Sequence, residues 1–257
     1  MRVFAKILLA VITLSTLASA PALGRDWRVI KDSGSIVAAT EGGFYPFNFF
    51  EGTKLTGFEV DLAEAVARKL GLKVEWRVVP FDAQLAAIRQ DRFDFAIASH
   101  GYTEERAKSV DFANPHYCTG GQIAALKGGP LTVAALNGRT VGVQIGTSYF
   151  DGASRINGVK AVKTYKADPD AYAALKARKV DAWISDKWQI RSTLEKNADS
   201  GVVAGEQMFV ERVSMILRKD NKELAGQLNR ALAEVMKDGT YGALSQKYFK
   251  TDIACRG

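Results

Sequence analysis

Strand and helix signals alternate along almost the whole chain, which predicts an α/β fold of two similar lobes, each a mainly parallel sheet flanked by helices. Two observations carry that prediction. From Ser35 onward, short apolar runs of strand character alternate with stretches of helical period. In addition, the sequence echoes itself: A-A-I-R-Q-D-R-F-D-F-A-I-A-S (residues 86–99) lines up without gaps against A-A-L-K-A-R-K-V-D-A-W-I-S-D (residues 173–186). Simple helix–strand segments also resemble one another by chance. Read physically, the echo gives two lobes whose equivalent strands end at Ser99 and Asp186.

The elements follow in chain order. Ser35–Thr40 is a short apolar strand ending in a loop rich in aromatics, E-G-G-F-Y-P-F-N-F-F. Residues 57–70 place Phe58, Leu62, Ala65, Val66 and Leu70 on one helical face and pair Glu64 with Arg68 on the other, and Gly71 supplies the stop. Leu72, Val74, Trp76 and Val78 then alternate with Lys73, Glu75 and Arg77, the period of a strand. A helix over 82–90 leads into the apolar run that ends at Ser99. The grammar restarts with a strand over Thr140–Gln144, a turn into a helix at I-G-T-S-Y-F-D, a strand over Ala161–Tyr165 and a helix from about Asp170. The glycine-rich residues 120–130 and the strand pattern of 212–218 are the expected crossings of a two-strand hinge. Lys222–Lys237 is amphipathic through Leu224, Leu228, Leu232, Val235 and Met236; Gly239 breaks it before a last short helix to Tyr248.

The first residues have the pattern of a secretory signal peptide: a basic start (Arg2, Lys6), an apolar run from Ile7 to about Leu17, and small residues up to Ala20. The expected organisation is a leader over 1–24, a first lobe from 25–122 and 214–257, and a second lobe over 123–213. Net charge is +7, with Arg2 and Lys6 in the leader and the rest scattered. There is no basic stripe with interleaved aromatics, which argues against nucleic-acid binding. Two cysteines, Cys118 and Cys255, are candidates for one disulfide in an oxidising compartment. With only His100 and His116 beside them, a zinc site is not expected.

Three constellations carry chemistry. In T-E-E-R, Thr103 suits a helix N-cap and Glu104 and Glu105 suit the first turn, but Arg106 meets the positive end of the helix dipole there. Either it pairs with a neighbouring carboxylate or it awaits an anionic ligand, which a guanidinium can hold in bidentate fashion. Asp186 ends a strand at the start of a helix; it is either the helix N-cap or an acceptor for an ammonium group at the mouth of the second lobe. Arg106 in one lobe and Asp186 in the other would match the two charges of an α-amino acid. In open α/β sheets ligands bind beyond the carboxyl ends of strands, where both are expected. The aromatics Phe44, Tyr45, Phe47, Phe49, Phe50 and Phe81 are either core or the walls of a ligand cleft.

Six segments stand out together and in order: Y-P-F (45–47), G-F-E-V-D-L-A-E-A-V-A-R-K-L-G (57–71), F-D-F-A-I-A-S, T-E-E-R-A-K-S-V-D-F, V-G-V-Q-I-G-T-S and the tail G-T-Y-G-A-L-S-Q-K-Y-F. Through them the chain resembles the extracytoplasmic solute-binding proteins of polar amino-acid ABC transporters (family 3). The segments span nearly all of the chain after the leader. The resemblance implies the two-lobed type II periplasmic-binding-protein fold, a periplasmic monomer, a small amino-acid ligand, a permease partner in the inner membrane, no nucleic acid, no cofactor and no metal. It implies hinge closure rather than catalysis; the competing reading is a cyclohexadienyl or arogenate-type dehydratase on the same fold. Residue by residue, Arg106 would clamp the ligand carboxylate, Ser99 would offer backbone or hydroxyl contacts, and Thr147 and Ser148 would close on the carboxylate from the second lobe. Asp186 would take the ammonium. Phe44 and Phe81 would sandwich the aliphatic part, and Glu41 would face the ligand side chain, favouring a polar or basic amino acid. Gly101 departs from the pattern, standing where many relatives have Ser or Thr. Its missing side chain is expected to remove one hydrogen bond and to open volume for a bulkier, opine-like ligand. His100 beside it is unusual and has no role in the pattern.

Overall fold

A computed structural model describes residues 25–255; the leader lies outside them. Two five-stranded sheets form the two lobes. The first has the order Lys73–Val78, Ser35–Thr40, Phe95–Ala96, Ile216–Arg218, Val110–Phe112. The second has the order Ala161–Tyr165, Thr140–Gln144, Ala182–Asp186, Gly121–Leu126, Val202–Gln207. In each sheet the strand fourth in line, Ile216–Arg218 or Gly121–Leu126, runs antiparallel to its neighbours while the other strands share one direction. That antiparallel strand is the one contributed by the chain as it arrives from the other lobe.

The helices form where periodicity demands. Phe58–Lys69 buries Phe58, Leu62, Ala65 and Val66, and Lys222–Lys237 buries Leu224, Leu228, Leu232 and Val235. With Thr240–Phe249 they cover one face of the first sheet, around Ile36, Phe47, Ile97 and Tyr117. The helix Phe81–Arg89 covers the other face, around Ala39, Ile88, Phe93 and Ile216. In the second lobe, successive residues of Ala182–Asp186 point to opposite faces: Ala182 and Ile184 join Val141, Val143 and Leu136, while Trp183 joins Leu175, Ile190 and Ala124.

The hinge differs from the expectation. Its paired strands are Tyr117–Thr119 and Glu211–Val213, antiparallel with Glu211 opposite Thr119. Residues 120–130, expected as a crossing, instead supply an interior strand of the second sheet, and the 212–218 pattern splits between the hinge and the first sheet. Hinge strands only three residues long are too short to show a period of their own. Cys118, on the first hinge strand, is disulfide-bonded to Cys255, and Cys118 N donates to Ile253 O at 3.1 Å. The C-terminal segment is thereby fastened to the hinge.

Candidate functional site

The cleft between the lobes is lined by Glu41, Phe44, Phe81, Ala98, Ser99 and Arg106 from the first lobe and by Gln144, Thr147, Ser148 and Tyr149 from the second. Its first-lobe side rests on a buried polar network centred on Glu59, which sequence reasoning assigned no role. Glu59 Oε1 accepts the Ser99 N–H at 2.8 Å and meets His116 Nε2 at 2.9 Å; Oε2 accepts the Ser99 hydroxyl at 3.1 Å and an Asn48 amide N–H at 2.9 Å. Asn48 Oδ1 in turn accepts the Gly42 N–H at 2.9 Å. Both ends of the aromatic loop are thus tied to the strand end at Ser99, whose φ of +60° is unusual for a residue with a side chain. The network holds that backbone in place and takes up the Ser99 hydroxyl.

Arg106 sits in the short helix Glu104–Ser109, and its N–H is capped by Thr103 Oγ1 at 3.1 Å. The residue is 8% exposed, and its guanidinium has no carboxylate within ion-pair distance among the described residues. Glu104 and Glu105, the expected alternative partners, are taken by the Tyr102 hydroxyl and by Lys108. Arg106 Nη1 donates to Gly101 O at 2.7 Å, and Nη2 crosses the cleft to donate to Gly146 O at 2.8 Å. The group also lies over the Phe81 ring, 5.6 Å from its centroid. Phe81 is backed by His100, stacked at 4.7 Å. The Gln84 amide, oriented by its N–H to Val79 O at 2.8 Å, presents Oε1 to His100 Nε2 at 2.9 Å, which makes that nitrogen the donor. Burial, together with the Arg106 charge, holds the His100 pKa well below its ordinary range, so His100 is a neutral support for the aromatic wall.

Across the cleft, Gln144 Nε2 donates to Glu41 Oε1 at 2.6 Å, a second contact between the lobes. Thr147 caps the helix Ser148–Ser154, accepting the Phe150 N–H at 3.2 Å and donating to Gln144 O at 2.8 Å. The Ser148 hydroxyl donates to Glu211 Oε2 at 2.7 Å. The expected opening at Gly101 is absent: a Cβ there would run into Glu211 Oε2, so the hinge carboxylate fills that space. Asp186 is fully buried and does not reach the cleft wall. Its Oδ1 caps the helix Lys187–Lys196 by accepting the N–H groups of Trp188 at 2.7 Å and Gln189 at 3.2 Å, and Oδ2 is covered by the hydroxyls of Tyr117 and Tyr149 at 3.3 and 3.4 Å.

The electrostatics of this closed arrangement are lopsided. Burial pushes the Glu41 carboxyl up to about 8 and the Asp186 and Asp168 carboxyls up to about 7, and it also raises Glu211. Burial lowers the Arg106 pKa, opposed by the charges of Glu211 and Asp151. Of these carboxyls only Glu211 acts on Arg106, and neither it nor Asp151 comes within ion-pair distance of it.

The profile of the bacterial extracellular solute-binding proteins, family 3, matches residues 36–251. The chain belongs to that family. Among its relatives, this solute-binding protein is 34% identical to the L-cystine-binding protein TcyJ of Escherichia coli over 87% of its own length and 86% of the relative's. It is 31% identical to a probable histidine-binding protein of Campylobacter jejuni, covering 83% and 84%. Its fold matches an ancestral arginine-binding protein bound to arginine with a TM-score of 0.81 at 35% identity, covering 84% and 98% of the two chains. It also matches the ancestral amino-acid-binding protein AncCDT-1, a precursor of cyclohexadienyl dehydratase, with a TM-score of 0.78 at 30% identity over 86% and 97%.

Sequence reasoning about this solute-binding protein missed Gln144, Tyr149, Glu59 and Glu211. A lone carboxylate inside the apolar run M-F-V-E-R-V-S-M-I-L was the signal that could have found Glu211, since an unpaired acid is rare in such a run.

Proposed function

We propose that the protein binds an amino acid with a polar or cationic side chain between its lobes and delivers it to a membrane permease from the periplasmic side. The observation that carries this reading is Arg106, a buried guanidinium at the cleft wall held by neutral carbonyl oxygens alone. A charge left without an opposite partner in a desolvated site is unfavourable by several kcal/mol, and a ligand carboxylate relieves that. Phe44 and Phe81 flank the space beside it for an aliphatic chain, and Glu41 supplies an acceptor for a distal cation. Because the hydroxyls of Ser99 and Thr147 are engaged within the protein, the carboxylate depends mainly on Arg106 and on backbone N–H groups. Closure brings Arg106 to Gly146 and Glu41 to Gln144, so ligand contacts from both lobes exist together only in the closed state, which is what shifts the hinge equilibrium.

Titration calorimetry with the common L-amino acids, L-ornithine and L-cystine tests this reading. A binder is expected, and Arg106→Ala is expected to weaken it by at least about 100-fold, the loss of two charge-assisted hydrogen bonds. A panel without a binder, or a binder indifferent to Arg106→Ala, would overturn the assignment.

A further inference from the structure

Away from the cleft, one helix of the second lobe touches the first lobe at both of its ends. The helix Lys187–Lys196 follows the strand Ala182–Asp186 of the second sheet. In its first turn Trp188 packs against the first-lobe core, its ring edge-on to Phe249 with centroids 6.2 Å apart. Trp188 Nε1 donates to Cys118 O on the hinge strand at 3.0 Å. In the last turn Lys196 lies over the Tyr45 ring, its Nζ 4.7 Å from the centroid. Tyr45 belongs to the aromatic loop of the first lobe, where it packs edge-on against Phe49 at 4.8 Å. Lys196 has no carboxylate partner among the described residues, and the adjacent Glu195 is paired with Arg191.

The two ends stand differently to the hinge. Trp188 sits on the hinge strand itself, so a rotation of the lobes there displaces it little. Lys196 lies two turns further along, about 12 Å away, and the same rotation carries it off Tyr45. The loop that holds Tyr45 also faces the second lobe through Glu41 on Gln144 and through Gly43–Phe44 against the helix Asp168–Lys176. Phe44, next to Tyr45, lines the cleft. A cation over an aromatic face is attracted to it even where water reaches the pair, and the attraction needs no ligand. We propose that Lys196 and Tyr45 form a latch outside the cleft that holds the lobes closed, with Trp188 as its pivot. The latch raises the closed population of the empty protein and slows ligand release. Because it never touches the ligand, it does so without preference among ligands. Lys196 also meets the negative end of its own helix, a role in which Tyr45 has no part.

This proposal rests on the lobes closing on a ligand, as inferred above, and its first measurement is made without one. Nitroxide labels on unnatural residues at the exposed positions Lys54 and Lys160, one on each lobe, report the closed fraction of the empty protein by pulsed electron spin resonance. Lys196→Met and Tyr45→Leu are each expected to lower the ratio of closed to open protein by about two- to fivefold. The double variant should lose no more than either single one, and Lys196→Arg, which keeps the cation, should keep the wild-type ratio. With a binder from the amino-acid panel, stopped-flow mixing should show the dissociation rate raised by the same factor and the ranking of ligands unchanged. A wild-type ratio in Lys196→Met overturns the latch, as do losses that add in the double variant or recur in Lys196→Arg. A wild type wholly open when empty, or a changed ranking of ligands, also overturns it. A panel without a binder overturns the binding reading alone, and the ratios of the empty protein still decide the latch.

Discussion

The two halves of the sequence echo build the same object and then use it differently. In residues 86–99 and 173–186, a helix ends, the chain turns through a left-handed residue (Asp91, φ +56°; Arg178, φ +57°), and an N–H reaches back to the helix (Arg92 to Ala87 O at 3.2 Å; Lys179 to Ala174 O at 2.9 Å). An aspartate then docks the new strand on its neighbour. Asp94 exchanges bonds with Val37, and Asp181 exchanges the same bonds with Thr140, all four between 2.7 and 2.9 Å. The difference comes at the last residue. Ser99 is held in left-handed backbone by Glu59 and lines the cleft, whereas Asp186 withdraws into the second lobe as a helix cap. The scaffold tolerates either ending because its geometry is already complete by Asp94 and Asp181.

The largest expected asymmetry between the lobes comes from the disulfide, which fastens the C-terminal segment of the first lobe to the hinge and has no counterpart in the second. A cross-link closing a loop with a sequence separation of 137 contributes about 5 kcal/mol in the chain-entropy view. Reduction, or Cys118→Ser, should therefore lower the melting temperature by roughly 10 °C in calorimetry. An unchanged melting temperature would mean that the C-terminal segment is held by packing alone.

A smaller effect separates the two docking aspartates. Asp94 is ion-paired with Arg25 as well as bonded to Val37 N, while Asp181 accepts only from Thr140 N among the described residues. Asp94→Ala is expected to destabilise by about 2 kcal/mol and Asp181→Ala by about 1 kcal/mol in denaturant titrations. Equal losses would show that the Arg25 pair adds nothing.

The pH dependence of ligand affinity follows from Glu41 in the first lobe. Its carboxyl, raised to about 8 in the closed ligand-free form, is largely protonated at neutral pH, and a cationic ligand side chain requires it ionised. Affinity for such a ligand should rise with pH by up to about tenfold per unit and level off above about pH 8. The sign reverses for the empty protein. A carboxyl whose folded value lies above its unfolded one favours the folded form at low pH, so the ligand-free melting temperature should fall as pH rises from about 4.5 through 8.

Much of this was legible in the sequence because it depends on neighbours in the chain. Strands such as Ser35–Thr40, Thr140–Gln144 and Ala161–Tyr165 and the helix Lys222–Lys237 announce themselves by period alone, and the T-E-E-R cap at Thr103 is local chemistry. The hinge was misplaced because its strands are defined by pairing across the molecule rather than by their own pattern. Glu211 escaped for the same reason, since Gly101 and Glu211 meet only in space. Reading Gly101 without Glu211 turned a filled notch into an imagined opening. Asp186 illustrates the converse: cap and ligand acceptor demand the same residue at the same strand end, so the sequence leaves both open, and the structure shows Oδ1 in the cap.

The bond between Cys118 and Cys255 makes the chain a macrocycle in which the whole second sheet, from Gly121 to Gln207, lies on the ring. A protease that cuts a loop of the second lobe therefore opens a circle and releases nothing. The two pieces should migrate as one species on a non-reducing gel and part only when the sulfurs are reduced. A nick in a loop of the second lobe is thereby kept from becoming the loss of that lobe.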